Sequence, residues 1–144
     1  MYRFVLAIFL CLVFAGCSSI QYVGFSEHKP RDESQAVIYV IRPSTYGSTL
    51  RMKVFQNDKL VGKLGPKNYL TWEVNPDKGE VYISSKSENK DLVVIKPTAG
   101  RTYYIKQRSK PGWFVSRTGL EFMNETEALE ILQKMNKPKV KYIE

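Results

Sequence analysis

Few residues among these 144 are placed to do chemistry, and the most telling is a cysteine. Phe14, Ala15, Gly16 and Cys17 close an apolar run, residues 4–15, that follows the single positive charge of Arg3. Charge, then an apolar stretch, then small residues is the order of a secretory signal. The run is too short to cross a bilayer, which takes about 20 apolar residues. A cysteine directly after the small pair has the spelling of a bacterial lipobox. Its chemistry is acylation: a diacylglycerol on the sulfur and, after cleavage before Cys17, an acyl group on the new terminal nitrogen. Three chains anchor durably, because each buried methylene contributes about 0.8 kcal/mol whereas one chain holds only marginally. Residues 1–16 are therefore expected to leave as a signal peptide. Ser18 and Ser19 follow with no Asp beside the cysteine, which implies sorting to the outer membrane, facing the periplasm.

The remaining reactive side chains assemble nothing comparable. His28 is the single histidine and precedes every expected strand, so neither a Ser-His-Asp arrangement nor a zinc site can be built around it. Cys11 leaves with the signal and Cys17 is taken by lipid, leaving no thiol for a disulfide. Asp58, Asp77 and Asp91 each sit in a separate turn, unlike the clustered carboxylates of a calcium loop. The glycines are scattered, with no phosphate cradle, and no cofactor is expected. Glu73 and Glu80 flank one expected hairpin and could face each other as a pair of acids. Strand residues turned to solvent explain them equally well, and the reading is of a protein that is not an enzyme.

Tyr103, Tyr104, Lys106, Arg108, Lys110, Trp113, Phe114 and Arg117 form the best candidate for a binding surface, with Arg108, Lys110, Trp113, Phe114 and Arg117 as its core. Tyr, Trp and Arg dominate interface energies, and aromatic platforms beside cations also suit acidic sugars. The favoured competing account packs Tyr103, Ile105, Trp113 and Val115 into the core while Lys and Arg face water, because an alternating strand produces the same letters.

Those residues need a scaffold, and size and charge limit it. Removal of residues 1–16 from the 144 leaves 128, enough for one domain. Of the 22 Lys and Arg only Arg3 is lost, so 21 against 14 Asp and Glu gives +7. A basic surface in the envelope favours anionic neighbours such as lipid headgroups, lipopolysaccharide phosphates or acidic cell-wall polymers; surplus lysine also serves solubility alone. Export argues against nucleic acid.

Residues 17–35 read as the lipidated N-terminus and a tether that reaches at most about 60 Å, with an apolar scatter that could instead dock on the domain. The domain itself is assigned to residues 36–144. Residues 36–42 (AVIYVIR) are apolar on both faces, as an interior strand requires, and Pro43-Ser44 stops them. Residues 51–56 alternate, and Asn57-Asp58 turns them into a strand over 59–64. Residues 69–74 and 80–86 flank a turn at 75–79 and read as a second hairpin with Leu70, Trp72, Val74, Val81 and Ile83 inward. Strands follow at 92–96, 101–107, 113–117 and 120–123. This spacing, without crossover helices, implies an antiparallel β-sandwich. One helix is expected over 124–136, capped by Asn124 with Glu127 as reciprocal partner and apolar at Ala128, Ile131, Leu132 and Met135. Residues 139–144 form a basic tail that could add an edge strand.

The lipobox with its tether, AVIYVIRPS at 36–44, VFQNDKLVGKL at 54–64, YLTWEV at 69–74 and AGRTYYIKQ at 99–107 together resemble the bacterial lipoprotein family of domain of unknown function 2846. That family shares an opening strand ending in Arg-Pro-Ser, a hairpin with Gly after an aliphatic as in Val61-Gly62, and a Gly, Tyr, Tyr, aliphatic strand. The hairpin is also similar to PEGA-type modules, small sandwiches of envelope proteins. Residues 75–80 depart from the family's Pro-Gly-x-His turn, so any role of that histidine does not carry over. The resemblance implies a transthyretin-like or immunoglobulin-like sandwich and is silent on activity, since a fold alone does not supply one. The functional expectation is a lipid-anchored envelope protein that binds or scaffolds without catalysis, its partners the membrane through the lipid and an envelope protein or an anionic cell-wall polymer. The alternatives are an assembly subunit of a secretion or cell-wall complex and a hydrolase working through Glu73 and Glu80.

Overall fold

A computed structural model describes residues 22–24, 32–47 and 49–138. Residues 1–16, Cys17, His28 and the tail at 139–144 lie outside them. The strands are β1 (Tyr22–Gly24), β2 (Ala36–Arg42), β3 (Met52–Gln56), β4 (Lys59–Leu64), β5 (Asn68–Val74), β6 (Val81–Lys86), β7 (Lys90–Ile95), β8 (Thr102–Lys110), β9 (Arg117–Met123) and β10 (Asn136–Pro138), with helix α1 (Glu125–Leu132) between the last two. Two four-stranded sheets pack together, ordered β5-β2-β8-β9 and β4-β3-β6-β7. The expected mainly β sandwich with one short C-terminal helix is the fold. One of its pairs, β2 with β8, is parallel.

Strand β2 shows why the molecule has three layers. All seven of its residues are buried. Ala36, Ile38 and Val40 face the other sheet and join Val54, Leu64, Leu70, Val74, Val81, Ile83, Ile95 and Ile105 in the main core. Val37, Tyr39 and Ile41 face the opposite way, where Ala128, Leu132 and Met135 cover them. A central strand closed on both faces must be apolar, and this one is from Ala36 to Ile41. Tyr39 stacks on Tyr104, with ring centroids 5.3 Å apart. Each such buried side chain contributes roughly 1.5–3 kcal/mol.

The helix starts where Asn124 accepts a hydrogen bond from the Glu127 N–H at 2.9 Å. The Glu127 carboxylate takes the ammonium of Lys106 at 2.7 Å, so it docks the helix on β8. The α-helix stops at Leu132, short of the expected 136, because residues 136–138 leave as β10 and pair with β1. The expected tether thus contains a strand, and β1 begins five residues after Cys17.

The second expected hairpin is not one. β5 pairs with β2 and β6 pairs with β3 and β7, so residues 75–80 arch from one sheet to the other. Asn75 accepts from the Asp77 N–H at 2.8 Å, Pro76–Lys78 makes a single 3-10 turn, and Gly79 at φ +83 redirects the chain. Val74 and Val81 still share one core, which is why the alternation is the same for an arch and for a hairpin. Asn57-Asp58 does make the tight hairpin turn, with φ of 48 and 64.

Arg42 ends β2 fully buried, facing into the sandwich. Its guanidinium donates to the carbonyls of Leu50 at 2.6 Å, Tyr46 at 2.9 Å, Gly47 at 3.0 Å and Leu64 at 3.2 Å. Burial draws its pKa down from the ordinary arginine value, yet the group keeps its proton at neutral pH. Replacing it strands the buried carbonyl of Leu64 and three partly buried ones. Arg42→Met is expected to lower unfolding stability by about 3 kcal/mol, against about 1 kcal/mol for the cap variant Asn124→Ala, as read from denaturant midpoints.

Candidate functional site

The loop between β8 and β9, residues 111–116, is where the structure departs most from the expected packing. Trp113 is 87% exposed and Phe114 96% exposed, and Val115 is exposed as well. No strand runs over 113–116; β9 starts at Arg117. The favoured core account therefore holds for Ile105, which is buried, and for Tyr103, which packs against the core, but fails for Trp113 and Val115. Strand alternation was the wrong period for a six-residue loop.

An aromatic loop in water needs something to hold its shape, and Glu88 does so from the turn between β6 and β7. Its carboxylate accepts the N–H groups of Trp113, Phe114 and Val115, each at 3.3 Å. Arg117 adds its charge at 3.8 Å. Partial burial penalises the charged carboxylate, but the three N–H groups and Arg117 together outweigh that and hold its pKa below the ordinary value. Gly112 makes the approach feasible, since a Cβ there would stand 1.9 Å from the Val115 carbonyl oxygen and 2.3 Å from a Glu88 oxygen.

Neighbouring side chains extend the seam. Ser87 donates to the Ser116 carbonyl. Asn89 accepts from the Thr118 N–H at 2.8 Å and donates to the Thr118 carbonyl at 2.9 Å, so its amide stands in for a strand residue beside β9. Asp91 accepts the Leu120 N–H at 2.7 Å. Inside, Thr118 bonds Ser85 at 2.8 Å and Gln107 at 3.0 Å. Behind the loop, Gly47 at φ +66 abuts Ser116, whose Oγ lies 2.6 Å from where a Cβ would be, and Arg42 holds that glycine's carbonyl. Tyr46, half exposed, stands next to it.

The five core residues of the candidate surface are thus divided by the fold. Trp113 and Phe114 form the loop tip, Arg117 braces its base, and Lys110 closes the β8 side opposite Arg117. Arg108 lies two residues back along β8, ion-paired to Glu121. The residue that sequence reasoning missed is Glu88. Its only signal was an acid in a polar turn, which is what an ordinary solvated turn also contains. Glu73 and Glu80 do not face each other: Glu73 is in register with Val37, and Glu80 accepts the Tyr82 hydroxyl at 3.1 Å.

Because the folded carboxyl titrates lower than the unfolded one, its contribution is whole above the ordinary value of 4.5 and fades as pH falls through the lower folded value. The protection of the amides of Trp113, Phe114 and Val115, their hydrogen-exchange rate measured against the intrinsic rate at each pH, is expected to fall in that acid window. Glu88→Gln should lose that protection already at neutral pH and show no such transition, and Gly112→Ala should do the same by driving the loop off an unchanged carboxylate.

Similarity to known proteins adds descent without chemistry. The chain is 24% identical over 133 residues to a protein of Haemophilus influenzae described as an uncharacterized protein, covering 88% of this chain and 79% of that one, a distant homology. No family model matches the chain. No solved structure matches it either.

Proposed function

We propose that this chain is an envelope lipoprotein, anchored through Cys17, that works by binding rather than by catalysis, and that the loop at 111–116 is its contact surface. One observation carries the reading: Trp113 and Phe114 are held out in water by a loop whose three successive N–H groups converge on Glu88. A large aromatic pair in solvent is destabilising unless something covers it in use. Holding the loop in advance lowers the ordering cost of that contact. Arg117 and Lys110 at its base suit an acidic partner, a wall polymer or an envelope protein.

The lipobox-like order of residues 4–17 supports the anchor, and so does the motif likeness to the lipoprotein family of domain of unknown function 2846. β1 shortens the leash. Tyr22 is the fifth residue after Cys17, at most about 18 Å of chain away, so acylation at Cys17 keeps the domain close to its leaflet.

Mass spectrometry of the processed chain should find Cys17 N-terminal and triacylated. In-cell crosslinking should then recover a defined envelope protein or cell-wall polymer. Trp113→Ala with Phe114→Ala should reduce that recovery at least tenfold while leaving the thermal midpoint within a few degrees. An unmodified Cys17 thiol overturns the anchor, and undiminished recovery by the double variant overturns the loop.

A further inference from the structure

The two sheets are not treated alike: α1 covers the outer face of one, and among the described residues nothing covers the outer face of β4-β3-β6-β7. Strand register assigns its outward residues. Lys63, Lys53, Lys86 and Lys90 fall in one row across all four strands, each paired with the next. All four are exposed. The next row holds Leu60, Phe55, Ser84 and Leu92, brought into line by the bulge at Val54/Phe55, with the small Ser84 buried between its larger neighbours. Tyr82 and Val94 follow. Leu60, Tyr82, Leu92 and Val94 are each 44–47% exposed.

Like charges directly opposite one another on adjacent strands repel, and a soluble sheet face has no need of four in a line. The strand spacing puts the row at roughly 14 Å from end to end. No Asp or Glu stands in the three rows. Lys90 reaches Asp58 at 3.1 Å from the hairpin turn, an exposed pair, and among the described residues the other three lysines have no ion pair. A line of cations bordering an apolar band has the layered order of a bilayer interface, where ammonium groups meet headgroup phosphates and the apolar side chains sink past them. A second copy meeting it face to face would bring the same four cations, and the acids beside the face, Asp58 and Glu80, are already taken by Lys90 and Tyr82. A groove for a partner's side chains is not formed by these rows, which are a register surface of a sheet.

We infer that this open sheet face docks on an anionic lipid leaflet, with Lys53, Lys63, Lys86 and Lys90 on the headgroups and Phe55, Leu60, Tyr82, Leu92 and Val94 against the acyl boundary. The inference goes beyond the binding loop and does not depend on Cys17: it concerns which side of the domain meets the membrane, with or without an anchor.

The test is lysine footprinting of the full chain by an amine-reactive ester, read residue by residue in mass spectrometry, with Lys78, Lys106 and Lys134 as internal controls. With vesicles of phosphatidylethanolamine and phosphatidylglycerol at 7:3, the four row lysines should become at least fivefold less reactive while the controls change less than twofold. Pure phosphatidylcholine vesicles should not protect them, and 0.5 M salt should reverse the effect. Each lysine near an anionic surface is worth about a factor of five in affinity, so Lys53→Gln with Lys86→Gln should weaken vesicle-dependent protection of Lys63 and Lys90 about 25-fold. Uniform protection, protection by phosphatidylcholine alike, or none overturns the inference. Stronger protection by soluble polyglutamate than by vesicles also overturns it, assigning the row to an acidic polymer. Because the readout is positional, a chain that lacks the acyl group still decides the question, and a chain that has it but shows no row protection leaves the anchor standing.

Discussion

A desolvated guanidinium at the end of β2 governs one whole pole of this sandwich. Arg42 carries a charge into the gap between the sheets, and its hydrogen bonds among the described residues go to main-chain carbonyls. A buried cation so placed is tolerable only if most of its donors are met, and the carbonyls that meet Nη1 and Nη2 come from the connection after β2 and from the end of β4, while Nε has no partner among the described residues. The charge therefore dictates where Tyr46, Gly47 and Leu50 lie. Gly47 is pulled to within contact of Ser116, Ser116 is gripped by Ser87, and Ser87 adjoins Glu88, which shapes the Trp113 loop. The exposed aromatics are thus held, through four short steps, by an arginine that no solvent touches.

The same logic of satisfaction explains why the interior changes character along its length. Toward the Arg42 pole the space between the sheets holds Ser85, Gln107 and Thr118, all buried and hydrogen-bonded to one another. Toward the middle it is aliphatic, with Ile38, Val40, Ile83 and Ile105. The aliphatic part supplies most of the burial energy. The polar part supplies geometry, since each of its groups has an orientation to keep and a cost if it is not kept.

Elements whose signal is local were legible. The two-faced burial of β2 could be read from AVIYVIR, the turn at Asn57-Asp58 from residues that accept positive φ, and the helix from Asn124 with Ala128, Ile131, Leu132 and Met135 on one side. Arg-Pro-Ser at 42–44 was noticed as a motif, but the reason for its arginine needed the carbonyls of Leu50 and Leu64, which are distant in sequence. Pairing partners were not legible. The parallel match of β2 with β8 spans some sixty residues, and the arch at 75–80 has the letters of a hairpin. The loop at 111–116 was misread because Trp, Phe and Val in succession look like a strand. What keeps them out of one is a carboxylate from another hairpin and a glycine with no room for a Cβ.

The β6–β7 hairpin joins the two surfaces by simple alternation. Lys86 and Lys90 pair with each other and point outward, ending the lysine row. Between them, Ser87, Glu88 and Asn89 turn the opposite way and take hold of residues 113–118. One five-residue turn thus separates charges by sign: cations to the open sheet face, the carboxylate to the loop. Had Glu88 been free to pair with Lys86, it would have offset one charge of the row and released the aromatics together. Three backbone N–H groups and Arg117 keep it occupied, so the positive face and the shaped loop are consequences of one side chain's choice of partners.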